Sequence, residues 1–230
     1  MGARLREIVL RRLRLPLIAP YRLSYRTFEE FEPILVELRD DMARTGFGER
    51  HISPGSSNES RDGGWAFAQH YASAVCRMEP AQARAQIEAE VNLSPVAATA
   101  LISALEMLEG HPLLEVREAA RVPLLSPVNG HERSEIRSEI DTRLGQGFQT
   151  FKVKVGADVD ADLERLNAIQ SIVGDRATLR VDANRGFSEK DAINFATRMA
   201  PEGIELFEQP CAAEDWDANA AVAKVSRASG

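Results

Sequence analysis

Apolar positions follow two different rhythms along this chain, and the change falls near Arg121. Ahead of it, Ile8–Leu17 and Ile34–Arg39 read as strands of a meander; Asp40–Gly48 carries turn signals, and Phe47-Gly48-Glu49 suits a third strand. Trp65–Arg77 and Ala81–Val91, rich in alanine and charge, predict helices. Ser94-Pro95 predicts another, with a serine cap, a proline in the first turn and a stop at Gly110. Between strands and helices, His51–Gly64 is rich in Ser, Gly and Asn and predicts an exposed, mobile loop.

Past Arg121 the pattern becomes a repeated strand and helix. Val122–Val128 predicts a strand, and Ile136, Ile140 and Leu144 form a helical stripe closed by Gly145 and Gly147. Phe151–Val155 is the next strand; Leu163, Leu166, Ile169 and Val173 make a helical face that Gly174-Asp175 breaks, and Leu179–Val181 is the third strand. Ser188 with Asp191 has the spacing of a capping box, Leu206-Phe207 begins a fourth strand, and Trp216–Val225 suits a fourth helix. Strands recurring about 30 residues apart with helices between them are the signature of a parallel sheet with crossover connections. A four-unit open sheet of the flavodoxin kind satisfies this spacing, and so does half of an eight-unit barrel.

Composition narrows the class. The chain has 230 residues, 44% of them hydrophobic, and a formal charge of −7, enough for a sizeable core and too acidic to suggest nucleic-acid binding. Cys76 and Cys211 make no disulfide framework, which suits a reducing compartment. No apolar run reaches the roughly 18 residues of a membrane span, so the expected location is the cytoplasm, with no membrane or nucleic-acid partner.

The candidate chemistry lies where three strands end. Lys152 and Lys154 share one strand face, as do Arg180, Asp182 and Asn184, while Glu208 closes the fourth strand. In parallel α/β folds the carboxyl ends of neighbouring strands gather the functional groups, so two cations and two anions are expected at one mouth. Burying two ammonium groups without partners would be costly, so anions are expected nearby, and Asp182 and Glu208 are the candidates. Adjacent carboxylates are also hard oxygen ligands suited to Mg²⁺. A ring of internal salt bridges with no metal and no chemistry is the alternative that spacing leaves open.

Three segments together, Phe151-Lys152-Val153-Lys154-Val155-Gly156, Arg180-Val181-Asp182-Ala183-Asn184-Arg185-Gly186-Phe187 and Phe207-Glu208-Gln209-Pro210, closely resemble the enolase superfamily, in its muconate lactonizing enzyme and mandelate racemase branch. The resemblance implies an α+β N-terminal capping domain over residues 1–120, followed over 121–230 by a partial (β/α) TIM-type barrel, the first four β/α units only. It implies Asp182 and Glu208 as two of three carboxylate ligands to Mg²⁺, Lys154 as the acid/base lysine, and Lys152 as its companion, which helps hold the substrate carboxylate. Asn184 and Gln209 match positions bordering the metal. A proton beside a carboxylate is a very weak acid, so its removal needs a cation already in place and a lysine that is neutral near pH 7; nearby positive charge favours the neutral form.

The implied activity is Mg²⁺-dependent abstraction of the proton alpha to a carboxylate of a small molecule. Racemisation, epimerisation or cycloisomerisation follows, with a dehydratase or a non-catalytic remnant as alternatives. Tyr21-Arg22-Leu23-Ser24-Tyr25-Arg26-Thr27, placed in a loop after the first strand, resembles a substrate-holding segment of dipeptide epimerases, which makes Tyr21 and Arg26 candidate substrate contacts; His51 in the next loop is a weaker one. His70, His111 and His131 have no ligand-like spacing. The third metal ligand and the second lysine implied by the family, on a fifth and a sixth strand, are not among the 230 residues. The chain therefore reads as truncated half-way through the barrel and is expected to be inactive by itself. Relatives in the family are commonly homo-oligomers, and a homo-oligomer stays an open expectation.

Overall fold

A computed structural model describes residues 2–22, 26–55 and 57–228. The chain divides into two compact units, Met1–Tyr21 with Thr27–Ala119, and Arg22–Arg26 with Ala120–Gly230.

In the first unit, β1 (Leu5–Arg12), β2 (Leu15–Arg22), β3 (Thr27–Phe31), β4 (Pro33–Asp40) and β5 (Thr45–His51) precede α1 (Arg61–Val75), α2 (Pro80–Glu88) and α3 (Pro95–Glu109). The strands form an antiparallel sheet in the order β1-β4-β5 and a separate pair β2-β3. Ile34, Val36 and Leu38 of β4 are buried against Leu101, Ala104, Leu105 and Leu108 of α3 and Phe67, Tyr71 and Val75 of α1. Each fully buried Leu, Ile or Phe contributes about 1.5–3 kcal/mol. Two glycines let α3 lie directly on β5: a Cβ on Gly46 would sit 2.0 Å from the Ala104 carbonyl oxygen, and one on Gly48 1.9 Å from that of Ala100.

Several boundaries differ from the sequence expectation. The strand expected over Ile8–Leu17 is two, because the chain turns out of β1 at Leu13, whose N–H donates to the Pro33 carbonyl, and starts β2 at Leu15. Strand β3, with Glu29 and Glu30 interrupting any clean alternation, was not expected at all. The helix expected from Trp65 begins at Arg61 inside the supposed loop, capped by Ser60, whose Oγ accepts the Gly63 N–H at 3.0 Å. Gly63 and Gly64 hide that start in the sequence; at Gly64 the buried Ile52 side chain packs against the helix, and a Cβ there would meet its Cδ1 at 2.0 Å unless that side chain shifted. Ser94 stands at the N-cap of α3, but its hydroxyl donates to Glu59 Oε1 at 2.5 Å, and the Glu59 carboxylate, not the serine, accepts the Val96 N–H at 3.1 Å. Gly110 ends the helix as expected, in the left-handed region at φ 71°.

The second unit runs β6 (Ser126–Pro127), α4 (Arg133–Gly145), β7 (Thr150–Lys154), α5 (Val159–Val173), β8 (Thr178–Asp182), α6 (Glu189–Arg198), β9 (Ile204–Glu208) and α7 (Trp216–Val225). The four strands are parallel, in the order β6-β7-β8-β9. The first of them is far shorter than Val122–Val128. Pro123 and Pro127 offer no N–H to a ladder, Val122 and Leu124 are exposed, and only Ser126 and Pro127 pair with Phe151 and Lys152. One sheet face is the core: Phe151, Val153, Leu179, Val181 and Phe207 pack against Leu163, Leu166, Ile169 and Phe195 from the crossover helices. The opposite face carries the side chains that alternate with these, and apart from Leu206, opposite Arg180, they are polar.

Candidate active site at the strand tips

Parallel register places the charged positions side by side. Lys152 is opposite Arg180, Lys154 opposite Asp182, and Asp182 opposite Glu208. A register shift between Leu179 and Arg180 lets Glu205 reach the same face, where it accepts from Thr178 Oγ1 at 2.5 Å and Arg180 Nε at 2.9 Å. The polar face is thus layered, from a hydroxyl pair, Thr150 with Thr178 at 3.1 Å, up to the carboxylates at the tips.

At the tips, Lys154 Nζ lies 2.6 Å from Asp182 Oδ2 and 2.7 Å from Asn184 Oδ1. Lys152 Nζ lies 2.7 Å from Asp182 Oδ2 and 2.7 Å from Glu208 Oε2. Asp182 is the hub: it is 1% exposed, and it also accepts the Asn184 backbone N–H at 2.8 Å and the Asn184 amide at 3.2 Å. Burial by itself pushes the Asp182 carboxyl up, but the two ammonium groups outweigh it and hold the carboxyl below its ordinary range. Lys152 shows the complementary balance: burial pushes its pKa down, while Asp182 and Glu208 outweigh that and raise it, so Lys152 is held as a cation.

The two carboxylates suit a divalent cation. Their oxygens stand no farther apart than twice the 2.7 Å that separates each from Lys152 Nζ, so a single positive centre already lies between them. Both are hard donors of the kind Mg²⁺ takes from carboxylates. Among the described residues no group of three or more His, Cys, Asp or Glu comes together as a ligand set, so Asp182 and Glu208 contribute two donors and no third acidic one.

Backbone strain marks the same place. Asn184, Arg185 and Gln209, just past Asp182 and Glu208, have φ of 46°, 65° and 47°, a region that non-glycine residues seldom adopt. The turns hold one another: the Arg185 N–H donates to the Gln209 carbonyl at 2.8 Å and the Ala183 N–H to that of Glu208 at 3.0 Å. Gln209 is exposed at the rim.

The strand-tip residues expected from sequence, Lys152, Lys154, Asp182, Asn184 and Glu208, therefore form one hydrogen-bonded network. The candidate residues from the first half of the chain have surroundings of their own. Tyr21 is the last residue but one of β2 and its ring packs edge-on against Phe31, with centroids 6.1 Å apart; Arg26 stands immediately ahead of β3. Leu23, Ser24 and Tyr25 of that segment lie outside the described residues. His51 is built into the first unit, its ring 4.6 Å from that of Phe31 and its Nδ1 accepting the Glu32 N–H at 3.2 Å; burial pushes its pKa down.

Sequence reasoning missed Asp162, Arg165 and Glu139, which hold the turns behind the tips. A signal was present in Asp162 and Arg165, three apart and so neighbours on the helix that follows Lys154. The scarcity of lysine was another: the chain has four, and two of them stand in this network.

Residues 135–229 match the family described as enolase C-terminal domain-like. The L-Lys-D/L-Arg epimerase of Methylococcus capsulatus is 30% identical over 91% of this chain and 62% of its own length. The L-Ala-D/L-Glu epimerase of Bacillus subtilis is 29% identical over 89% of this chain and 59% of its own. The chain thus spans about three fifths of the length of these curated relatives. A dipeptide epimerase from Cytophaga hutchinsonii, solved with Mg and the dipeptide D-Ala-L-Val, superposes with a TM-score of 0.89 at 22% identity, covering 98% of this chain and 64% of that one. Its likeness is one of fold, a capping domain with a TIM barrel. Residues 135–229 thus carry the enolase C-terminal domain-like match, and the chain as a whole is similar to epimerases of the enolase superfamily, in its mandelate racemase and muconate lactonizing enzyme branch.

Proposed function

We propose that this chain carries the metal-holding carboxylates and one acid/base lysine of an isomerase that removes the proton alpha to a carboxylate. Residues 1–120 are assigned as the capping domain and 121–230 as the first four units of the barrel. The observation that supports the reading most is the shared position of Lys154, Lys152, Asp182, Asn184 and Glu208 on three adjacent parallel strand tips. Relatives with 30% and 29% identity are named as epimerases acting on paired amino acids, which makes a dipeptide or an N-acyl amino acid the favoured substrate class.

Asp182 and Glu208 would hold Mg²⁺, which when bound supplies positive charge where the substrate carboxylate becomes electron-rich. Lys154 takes the alpha proton on Nζ, with Asn184 fixing the direction of that nitrogen. Lys152, held as a cation, faces the negative charge that grows on the carboxylate. Arg26 and Tyr21 are assigned to substrate contacts from the capping side, and Gln209 to the rim of the metal site. The two free cysteines support placement in the reducing cytoplasm.

The test is hydrogen exchange at the substrate alpha carbon in D₂O with Mg²⁺. It is run on a library of dipeptides, N-acyl amino acids and lactones, with this chain and with any longer product of its reading frame. Alpha deuteration that disappears in Lys154→Ala supports the assignment. Exchange persisting undiminished in that variant removes Lys154 as the base for its face of the substrate.

A further inference from the structure

Arg165, on the second turn of α5, carries a half-buried guanidinium whose hydrogen bonds, among the described residues, all go to main-chain oxygens. It donates to the Val128 carbonyl at 2.7 Å, to that of Gly130 at 3.1 Å and 3.2 Å, and to that of Lys154 at 3.3 Å. These carbonyls lie at the carboxyl ends of two neighbouring strands, where the ladder no longer supplies donors.

Two carboxylates complete the arrangement from the N–H side. Asp162 Oδ2 accepts from the N–H groups of Gly156, Ala157 and Asp158 at 2.8, 3.0 and 3.2 Å, gathering the turn that follows Lys154. Glu139 Oε2 accepts from Asn129 and Gly130 at 2.8 and 2.9 Å, gathering the turn that follows β6. Each turn is thus held by a carboxylate from the helix it leads into, and Arg165 joins the two turns through their carbonyls. Gly156, at φ 110°, lies so close to the next turn that a Cβ would come within 2.5 Å of the Ala183 oxygen. No slack remains on that side either.

Confining a guanidinium with neutral carbonyls, out of hydrogen-bonding reach of Asp162 and Glu139, is an expensive way to satisfy three oxygens. It does, however, tie the Lys154 carbonyl, through the 3.3 Å bond, to the Val128 and Gly130 carbonyls of the neighbouring turn, at the residue whose side chain reaches Asp182 and Asn184. We infer that Arg165, supported by Asp162 and Glu139, is a positioning residue that aims the Lys154 ammonium at Asp182 and Asn184. Its consequence for proton transfer rests on the assignment of Lys154 as the base; the aiming itself does not.

The chain's four lysines make the aiming directly readable. In the full chain labelled with ¹⁵N-lysine, the Lys154 ammonium signal is identified by its loss in Lys154→Arg, and Lys190 and Lys224 serve as internal references. Arg165→Met is expected to shift the Lys154 signal and to speed exchange of its protons with water about tenfold, as loss of ordinary hydrogen bonds would. The reference signals should stay in place. Arg165→Lys, which keeps the charge but cannot span the same carbonyls, should restore the melting temperature more fully than it restores the Lys154 signal. An unshifted Lys154 signal in a folded Arg165→Met chain overturns the inference, as does full restoration of the signal by lysine. If Arg165→Met fails to fold, Asp162→Asn carries the same test with the same two outcomes. A shifted Lys154 signal together with alpha exchange that survives Lys154→Ala leaves the aiming intact and refutes the functional assignment instead.

Discussion

Lys154 and Asp182 meet across the two central strands of the parallel sheet at 2.6 Å, and the oxygen that Lys154 reaches is also the one that Lys152 reaches at 2.7 Å. One buried anion therefore balances two half-buried cations. Replacing Asp182 by Ala leaves Lys154 with only the Asn184 amide and Lys152 with only Glu208. Replacing Lys154 by Met leaves Asp182 with Lys152 and Asn184. The lysine side chains keep 20% and 24% of their exposure, so water softens the penalty. Asp182→Ala is expected to cost about 1–3 kcal/mol and Lys154→Met about 1 kcal/mol or less in urea denaturation. Equal costs would show that the network is not centred on Asp182.

The same geometry orders the effects of substitution on metal binding. Lys152 contributes a positive charge beside both carboxylates, so it competes electrostatically with any divalent ion that they hold. Mn²⁺ binding, followed by water-proton relaxation, should weaken about tenfold or more in Asp182→Asn and Glu208→Gln, a loss of about 1.4 kcal/mol or more for each. In Lys152→Met it should hold or tighten. Binding unaffected by both carboxylate changes would remove the two residues as a metal site.

What could be read in the sequence follows a physical division. Phe151–Val155 and Leu179–Val181 were legible because a strand buried on one face and charged on the other alternates cleanly, and the charged set was itself the candidate site. Trp216–Val225 was legible because a polar, turn-rich stretch precedes it and its apolar positions follow the helical period. The strand expected over Val122–Val128 shrinks to Ser126–Pro127 because aliphatic content does not ensure ladder pairing: Pro123 and Pro127 cannot donate, and Val122 and Leu124 stay exposed. The start of α1 is hidden because Gly63 and Gly64 oppose a helix by propensity, while the side chains of Ile52 and Ser94 that pack beside Gly64 come from elsewhere in the chain. Arg165, Asp162 and Glu139 were invisible as a set because their partners are backbone atoms of turns, which leave no residue pattern to match.

The cap of α3 makes a prediction that propensity alone would place elsewhere. Glu59 accepts the Val96 N–H with both oxygens at 3.1 Å and receives the Ser94 hydroxyl at 2.5 Å. Glu59→Ala should therefore cost about 1–2 kcal/mol, the scale of a lost N-cap. Ser94→Ala, which keeps the Glu59–Val96 bond, should cost less. Thermal melts of the two variants, checked for two-state behaviour, decide it; a larger loss in Ser94→Ala would return the capping role to the serine.

Asp40 supplies a prediction about pH. It ends β4 and closes the hairpin to β5: Oδ1 accepts from Met42 N–H at 3.0 Å and Arg44 N–H at 2.8 Å, and Oδ2 from Arg44 Nε at 2.6 Å. Between them Ala43 adopts φ 63°, so the turn depends on that carboxylate to hold a conformation that alanine disfavours. Burial pushes the Asp40 carboxyl up, but Arg44 and the two N–H groups prevail and hold it below its ordinary value. A carboxyl with a depressed folded-state pKa contributes stability that is complete above its unfolded value of about 3.9 and is lost as pH falls through the folded one. Asp40→Asn removes the charge and keeps the shape, so at pH 7 it should lower stability by about 1–2 kcal/mol. The gap between parent and variant should close as the pH is taken down through 4 toward 2, measured by urea denaturation at each pH. A gap that widens with acid would require a raised carboxyl pKa and would contradict the hydrogen bonding of this turn.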